Sequence, residues 1–216
     1  MRITKYGHSC LMLEEGDEKL LIDPGGVLYL DPIDPKDIPI PNGILLTHEH
    51  PDHYAPDVIQ QILHEQAIPI ITNVQLAEKT KKDGLHAEII QPGETKVLGA
   101  FTIIGVAAAH GHTTKTSPDN IGFIVNGTVY HPGDSFLGEI PYGEIQVLAL
   151  PIVSPWGPRF EAFAYAKKVH PKIVIPIHDA YFKDFFIKGQ NIIAAENLGE
   201  AGITVKPLGP GESLEV

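Results

Sequence analysis

The sequence is poor in cysteine, in tryptophan and in positive charge. Its 216 residues include one cysteine and one tryptophan, and 16 Lys and Arg face 27 Asp and Glu, for a formal net charge of −11. A single cysteine excludes an intramolecular disulfide and fits a reducing, cytoplasmic compartment. Cys10 lies in the apolar run 9–13 and reads as a small buried side chain rather than a reactive thiol. The acidic balance argues against broad binding to nucleic-acid backbones or anionic membranes. No apolar run reaches signal-peptide or membrane-span length, so neither export nor a membrane anchor is expected. None of these features sets an oligomeric state.

The remaining composition is that of a globular protein with a real core: 43% hydrophobic and 20% charged. The length suits one domain over 1–216. Residues 2–22 read as two or three short strands, RITKYG, SCLMLEE and EKLLID, with a hairpin turn at Gly16-Asp17 between the last two. The segment GILLT (43–47) reads as a buried strand. Residues 56–66 carry helical spacing at Val58, Ile59, Ile62 and Leu63, with Pro56 in the first turn. A strand over 68–72 leads to a helix over 73–84, with Asn73 as N-cap and Gly84 as stop. The middle is β-rich, with a hairpin signal at Asn126-Gly127. Strand IQVLALPI, a helix over 158–169, strand KIVIPIH, a helix over NIIAAENLGEAG and two last short strands complete the chain. Each half thus has a β-rich stretch followed by α/β units. The expected architecture mixes α+β and α/β features: a four-layer αββα sandwich of two mixed sheets with helices outside.

Histidine is the outlier in this composition, with 11 residues. The strongest motif is Thr47-His48-Glu49-His50-Pro51-Asp52-His53, directly after a buried strand. Imidazole nitrogen and carboxylate oxygen are the ligands that borderline divalent metals prefer. The alternation of His48 and His50 suits one metal; Asp52 and His53, beyond Pro51, suit a second. Four residues cannot complete two metal shells. Later strand ends supply His110, with His112 two residues on, Asp134 within VYHPGDS, and His178 at the end of KIVIPIH.

Taken together, THEHPDH, AAAHGH, HPGDS and PIHDA resemble the metallo-β-lactamase superfamily. The opening YGHSCLML and the segment LLIDPGG resemble its small stand-alone branch of metal-dependent hydrolases, which is related to ascorbate-6-phosphate lactonases. The resemblance covers essentially the whole chain. It implies that His48, His50 and His110 hold one metal, that Asp52, His53 and His178 hold the other, and that Asp134 bridges them. His110 is preferred to His112 because it ends the strand directly. Two divalent ions are expected, Zn first, with Mn or Fe as alternatives. Ions roughly 3.5–4 Å apart share a bridging hydroxide that attacks an acyl or phosphoryl centre. Asp52 is then a candidate to steer the nucleophile or accept its proton. The ions' residual charge points to a small, anionic ester, lactone or phosphodiester.

Around these ligands, Asp23 either fixes the tautomer of a ligand histidine or caps a turn. His8 either lines the cleft or stabilises an oxyanion, or is structural. His112 reads as a cleft residue, and His131 as a strand-end residue outside the metal shell. His64, His86 and His170 fall on helix or surface segments. Trp156 either walls the pocket or packs. Loop 25–42 is a lid candidate.

Departures from other superfamily patterns narrow the class. Asp134 stands where secreted β-lactamases commonly place Cys. His50 is present where flavin-linked di-iron relatives carry Glu. The helical domain of glyoxalase-II-like thioesterases and the RNA-gripping arm of RNA-processing relatives have no counterpart here. A metal-bearing sensor without catalysis and a di-iron redox enzyme are the competing readings.

Overall fold

The protein's structure, a computed structural model, describes residues 1–26, 28, 33–112, 115–138 and 144–216. The first half runs β1 (Arg2–Gly7), β2 (Cys10–Glu15), β3 (Glu18–Ile22), β4 (Gly43–Leu45), α1 (Pro56–Leu63), β5 (Ile70–Thr72), α2 (Val74–Lys82) and β6 (Ala87–Ile89). The second runs β7 (Thr95–Leu98), β8 (Phe101–Ala107), β9 (Ile121–Val125), β10 (Val129–His131), β11 (Val147–Pro151), α3 (Arg159–Val169), β12 (Ile173–Ile177), α4 (Asp184–Gly199), β13 (Thr204–Val205) and β14 (Ser213–Glu215).

Two mixed sheets result, ordered β14-β1-β2-β3-β4-β5-β6 and β13-β12-β11-β10-β9-β8-β7. Each has three antiparallel pairings and three parallel ones. Four of the six parallel pairs, β4-β5, β5-β6, β11-β12 and β12-β13, are joined through α-helices, since a parallel crossover needs more chain than a hairpin.

Alternation of side chains along the strands builds the layers. Leu11 and Leu13 of β2 meet Phe123 and Val125 of β9 in a core between the sheets, with Phe101, Ile103 and Ile175. Cys10 and Met12 point the other way, into a second core covered by Val58, Ile59 and Ile62 of α1 and Leu76 of α2. Ile124, Leu148 and Val174 likewise face Ala162 and Phe163 of α3 and Leu198 of α4. Strand residues two apart share a face, so one strand serves two cores. The sandwich is therefore helix, sheet, sheet, helix, as the sequence pattern implied.

Helix boundaries differ from the sequence reading. α1 stops at Leu63 because His64 turns left-handed, with φ of 45°. α4 begins at Asp184, seven residues before NIIAAENLGEAG. Its first turns carry Phe185 and Phe186, which are exposed and so break the apolar spacing that marks a helix. In loop 25–42, residues 27 and 29–32 lie outside the described residues; Pro35–Asp37 forms a 3-10 turn capped by Asp34. No helix among the described residues is long and apolar enough to cross a membrane.

The topology brings one set of strand ends together. His8 follows β1, Asp23 follows β3, Thr47 and His48 follow β4, His110 follows β8, Asp134 follows β10 and His178 follows β12.

Candidate metal centre

Two groups of ligand-type atoms gather at that edge. His48, His50, His110 and Asp134 form one; His8, Asp52, His53 and His178 form the other. Within the first, His50 Nδ1 lies 3.2 Å from both His48 Nε2 and His110 Nε2. Asp134 touches both groups. Its Oδ2 is 3.6 Å from His48 Nε2, 3.4 Å from His110 Nε2 and 3.4 Å from His178 Nε2, while Oδ1 is 3.1 Å from His53 Nε2. Asp52 Oδ2 lies 3.5 Å from His178 Nε2.

Hydrogen bonds on the far side of each ring set which nitrogen faces inward. His53 Nδ1–H donates to Asp23 Oδ2 at 2.7 Å. His178 Nδ1–H donates to the Val153 carbonyl at 2.7 Å. His110 Nδ1–H donates to the Gly111 carbonyl. Thr47 Oγ1 gives its proton to Asp23 Oδ2 at 2.6 Å, so it accepts from His48 Nδ1–H at 3.0 Å. Four Nε2 atoms are thereby aimed at the two carboxylates. His53 Nε2 and Asp134 Oδ1 are buried and close, yet neither has a hydrogen-bond partner. A buried orphan donor or acceptor is costly. A divalent cation with nitrogen and carboxylate ligands removes that cost at both atoms, so the residues present fit a metal pair.

His8 differs from the others. It belongs to the second group by distance, but its Nδ1 accepts from the Ala180 N–H at 3.2 Å. Its proton therefore sits on Nε2, which donates to Asp52 Oδ2 at 3.3 Å. His8 holds Asp52 from behind and is not among the residues lining the cavity over the centre. The oxyanion role weighed for it in the sequence has no support in this geometry. Burial pushes His8 down to about 4, which keeps it neutral.

His112 also needs correction. It is exposed, its hydrogen bond is to Ser117 Oγ at 3.4 Å, and it does not line the cavity. Gly111 explains the divergence from His110. Its N–H donates to the Asp134 carbonyl at 2.9 Å, and a Cβ there would lie 1.9 Å from Trp156 Cδ1. The chain is pinned under the indole and turns outward after it. Trp156 walls the cavity, with ring centroids 5.5 Å from His110 and 4.8 Å from His178.

His131 is buried outside the cluster. Its Nε2–H donates to the Ser9 carbonyl and its Nδ1 accepts from Gly133 N–H. His64 and His170 terminate helices in the left-handed region, and His86 is exposed.

Sequence reasoning missed the scaffold atoms. Asn120 Nδ2 donates to the carbonyls of Ala108 and Pro132, tying two ligand-bearing strand ends together. Asn73 does more than cap α2: its Nδ2 donates to the carbonyls of Thr47 and Asp119. His8, Asp23 and His178 adopt positive φ of 45°, 49° and 64°. Such backbone costs roughly 1–3 kcal/mol per residue and persists where surrounding bonds over-determine it. Here His178 N–H donates to the His8 carbonyl at 3.2 Å.

Gly25 lies directly under the ligand loop. A Cβ there would be 2.0 Å from the Asp52 carbonyl oxygen and 2.5 Å from His53 N. Gly25→Ala is expected to destabilise the fold by roughly 1–3 kcal/mol through overpacking. It should weaken metal binding as well, because the atoms displaced belong to the segment carrying Asp52 and His53. Thermal unfolding with and without metal measures both effects; an unchanged metal-induced shift in Tm would show that the loop does not feel this contact.

Charge in the cluster sets a pH dependence for loading. Burial opposes a proton on His178, but Asp134 and Asp52 outweigh it and push the ring up to about 9. His53 is held well above its usual value against burial, by Asp134 and Asp23. Burial alone would raise the Asp134 carboxyl, but the histidines around it, His53 first, hold it well below the carboxylate range. Without metal, His178 and His53 therefore keep protons that a cation must displace. Affinity should rise with pH by about tenfold per unit for each proton displaced, the His178 contribution ending at about 9. Competition against a chelator across neutral pH measures the slope; a flat profile would contradict this assignment of protons.

A pair of mixed sheets with such a centre at its strand ends is a metallo-β-lactamase fold. The Beta-lactamase superfamily domain matches residues 2–178, and the chain belongs to that family. A UPF0173 metal-dependent hydrolase from Desulforamulus reducens is 30% identical, with 100% of both chains covered. Protein Rv0786c of Mycobacterium tuberculosis is 30% identical over 83% of this chain and 84% of its own. Among solved structures, the metallo hydrolase Igni18 from Ignicoccus hospitalis shares the fold, with a TM-score of 0.74 at 21% identity, covering 100% of this chain and 98% of its own.

Proposed function

We propose that this chain is a metal-dependent hydrolase with a dinuclear centre, acting on a small ester, lactone or phosphodiester. The observation that carries the reading is the convergence of four imidazole Nε2 atoms on Asp134 and Asp52, each ring fixed by an Nδ1–H bond on its outer side. His48, His50 and His110 would hold one ion. Asp52, His53 and His178 would hold the other, and Asp134 reaches both groups through different oxygens. Zn²⁺ is the first expectation, with Mn or Fe as alternatives of similar ligand preference. Ions held there supply a hydroxide nucleophile near neutral pH and a Lewis acid for the substrate oxygen.

The side chains do the rest. Asp23 keeps the His53 Nε2 lone pair inward by accepting from Nδ1–H. Asp52, oriented by His8 Nε2–H, presents a carboxylate beside His178 that can take a proton from the attacking water. Trp156, Val153 and Pro155 exclude bulk solvent from one side of the cavity. A small-molecule partner and a cytoplasmic setting agree with the acidic composition and the single cysteine.

Purified protein should contain two metal ions per chain and hydrolyse an ester or lactone. Exhaustive chelation should abolish turnover, and Zn²⁺ or Mn²⁺ should restore it. Turnover that survives complete metal removal would end this reading.

A further inference from the structure

The walls of the cavity name a substrate class more narrowly. The cavity holds about 480 Å³ above the two groups of ligands. Beyond the ligands themselves it is lined by Val153, Ser154, Pro155, Trp156, Tyr181 and Phe182. No lysine or arginine lines it among the described residues. The residues not described, 27, 29–32, 113–114 and 139–143, include no lysine or arginine either. The buried cation of this region, Lys5, is committed elsewhere: its Nζ donates to Asp179 and to the Pro176 carbonyl. A remote phosphate or carboxylate on the substrate would thus meet apolar walls and a net-negative protein.

The apolar surface continues outward. Tyr181 and Phe182 are 55% and 43% exposed, and Phe182 stacks on Phe186 with centroids 5.1 Å apart. Phe185 beside them is 75% exposed. Large aromatics left open at a cavity mouth mark a surface that a ligand covers.

Resting on the hydrolase reading above, we propose that the site takes a neutral ester or lactone bearing an aryl or branched apolar group, held against Trp156, Tyr181 and Phe182. This replaces the anionic substrate expected from metal charge alone. The positive charge left at the centre is matched instead by the oxyanion that develops during attack. Water adds to the acyl carbon, the acyl–oxygen bond breaks, one water proton passes to the leaving alcohol, and the acid product ionises.

Matched substrates test this on the metal-loaded protein. Phenyl butyrate and 4-carboxyphenyl butyrate share the acyl group and the scissile bond but differ by a remote carboxylate. The neutral ester should be favoured in kcat/KM by about tenfold or more, although the charged phenol is the better leaving group, and Phe182→Ala should cost about tenfold on phenyl butyrate with metal content unchanged. Equal or reversed preference overturns the proposal and leaves the hydrolase standing. Turnover of neither ester, lactones or phosphodiesters by protein holding two metals overturns the hydrolase reading itself. An independent readout uses Trp156, the single tryptophan. Phenylacetamide should quench its fluorescence saturably where acetamide does not, in loaded and chelated protein alike; the absence of that difference also overturns the proposal.

Discussion

Replacing Asp134 by alanine should remove at least about 10³ from kcat/KM and drop metal content from two ions per chain to one or none. Asp134 is 1% exposed and is the residue whose two oxygens serve both ligand groups. A loss of about 4 kcal/mol in transition-state stabilisation corresponds to that factor, and it is what a broken dinuclear site forfeits. Asp134→Asn separates charge from shape. It keeps the volume but offers one neutral acceptor where two anionic ones stood. The metal-free protein adds a second readout. The Asp134 carboxyl is held well below the carboxylate range, so it stabilises the fold above the unfolded pKa of about 3.9 and loses that contribution as pH falls through the folded value. Asp134→Asn should therefore lower Tm near neutral pH, with the gap to wild type closing in acid. Full metal content and activity in either variant would exclude a bridging role for this side chain.

What could be read from the sequence follows physical lines. Continuous apolar runs exposed the central strands, because β2 and β9 each bury two faces in two different cores. The residues of the two candidate clusters stood out because metal chemistry admits few residue types and because they follow apolar strands. Three things were hidden. The divergence of His110 from His112 depends on the approach of Trp156 to Gly111 across 45 residues of chain, whereas His48 and His50, at the same spacing, both stay in the cluster. The acceptors that orient His178 and His110 are backbone carbonyls, which any residue supplies. The start of α4 was masked because Phe185 and Phe186 face outward, where a helix ordinarily shows polar side chains. That same violation of pattern marks the mouth of the cavity.

Asp23→Asn should reduce metal affinity at the His53 side by about 10- to 100-fold, and turnover by at least as much. The substitution is chosen because asparagine tolerates the left-handed backbone at φ 49°, so the effect reports chemistry and not strain. Asp23 is 0% exposed and accepts three hydrogen bonds: from Thr47 N–H at 2.8 Å, from Thr47 Oγ1–H at 2.6 Å and from His53 Nδ1–H at 2.7 Å. An amide oxygen has two lone pairs, and the amide NH₂ would face donors. One conflict is relieved if His53 moves its proton from Nδ1 to Nε2, so that Nδ1 accepts from the amide. That tautomer points N–H at Asp134 and withdraws the lone pair a cation needs; a wrong tautomer of this kind costs about 10⁴ in the serine-protease triad. Leaving a buried group unpaired also destabilises the fold, by roughly 1–3 kcal/mol. Metal titration of the variant, followed by unfolding of its metal-free form, separates the two effects. Undiminished affinity in Asp23→Asn would mean that the His53 ring is held by packing alone, against His48 at a centroid distance of 4.1 Å, and that the carboxylate serves only the turn after β3.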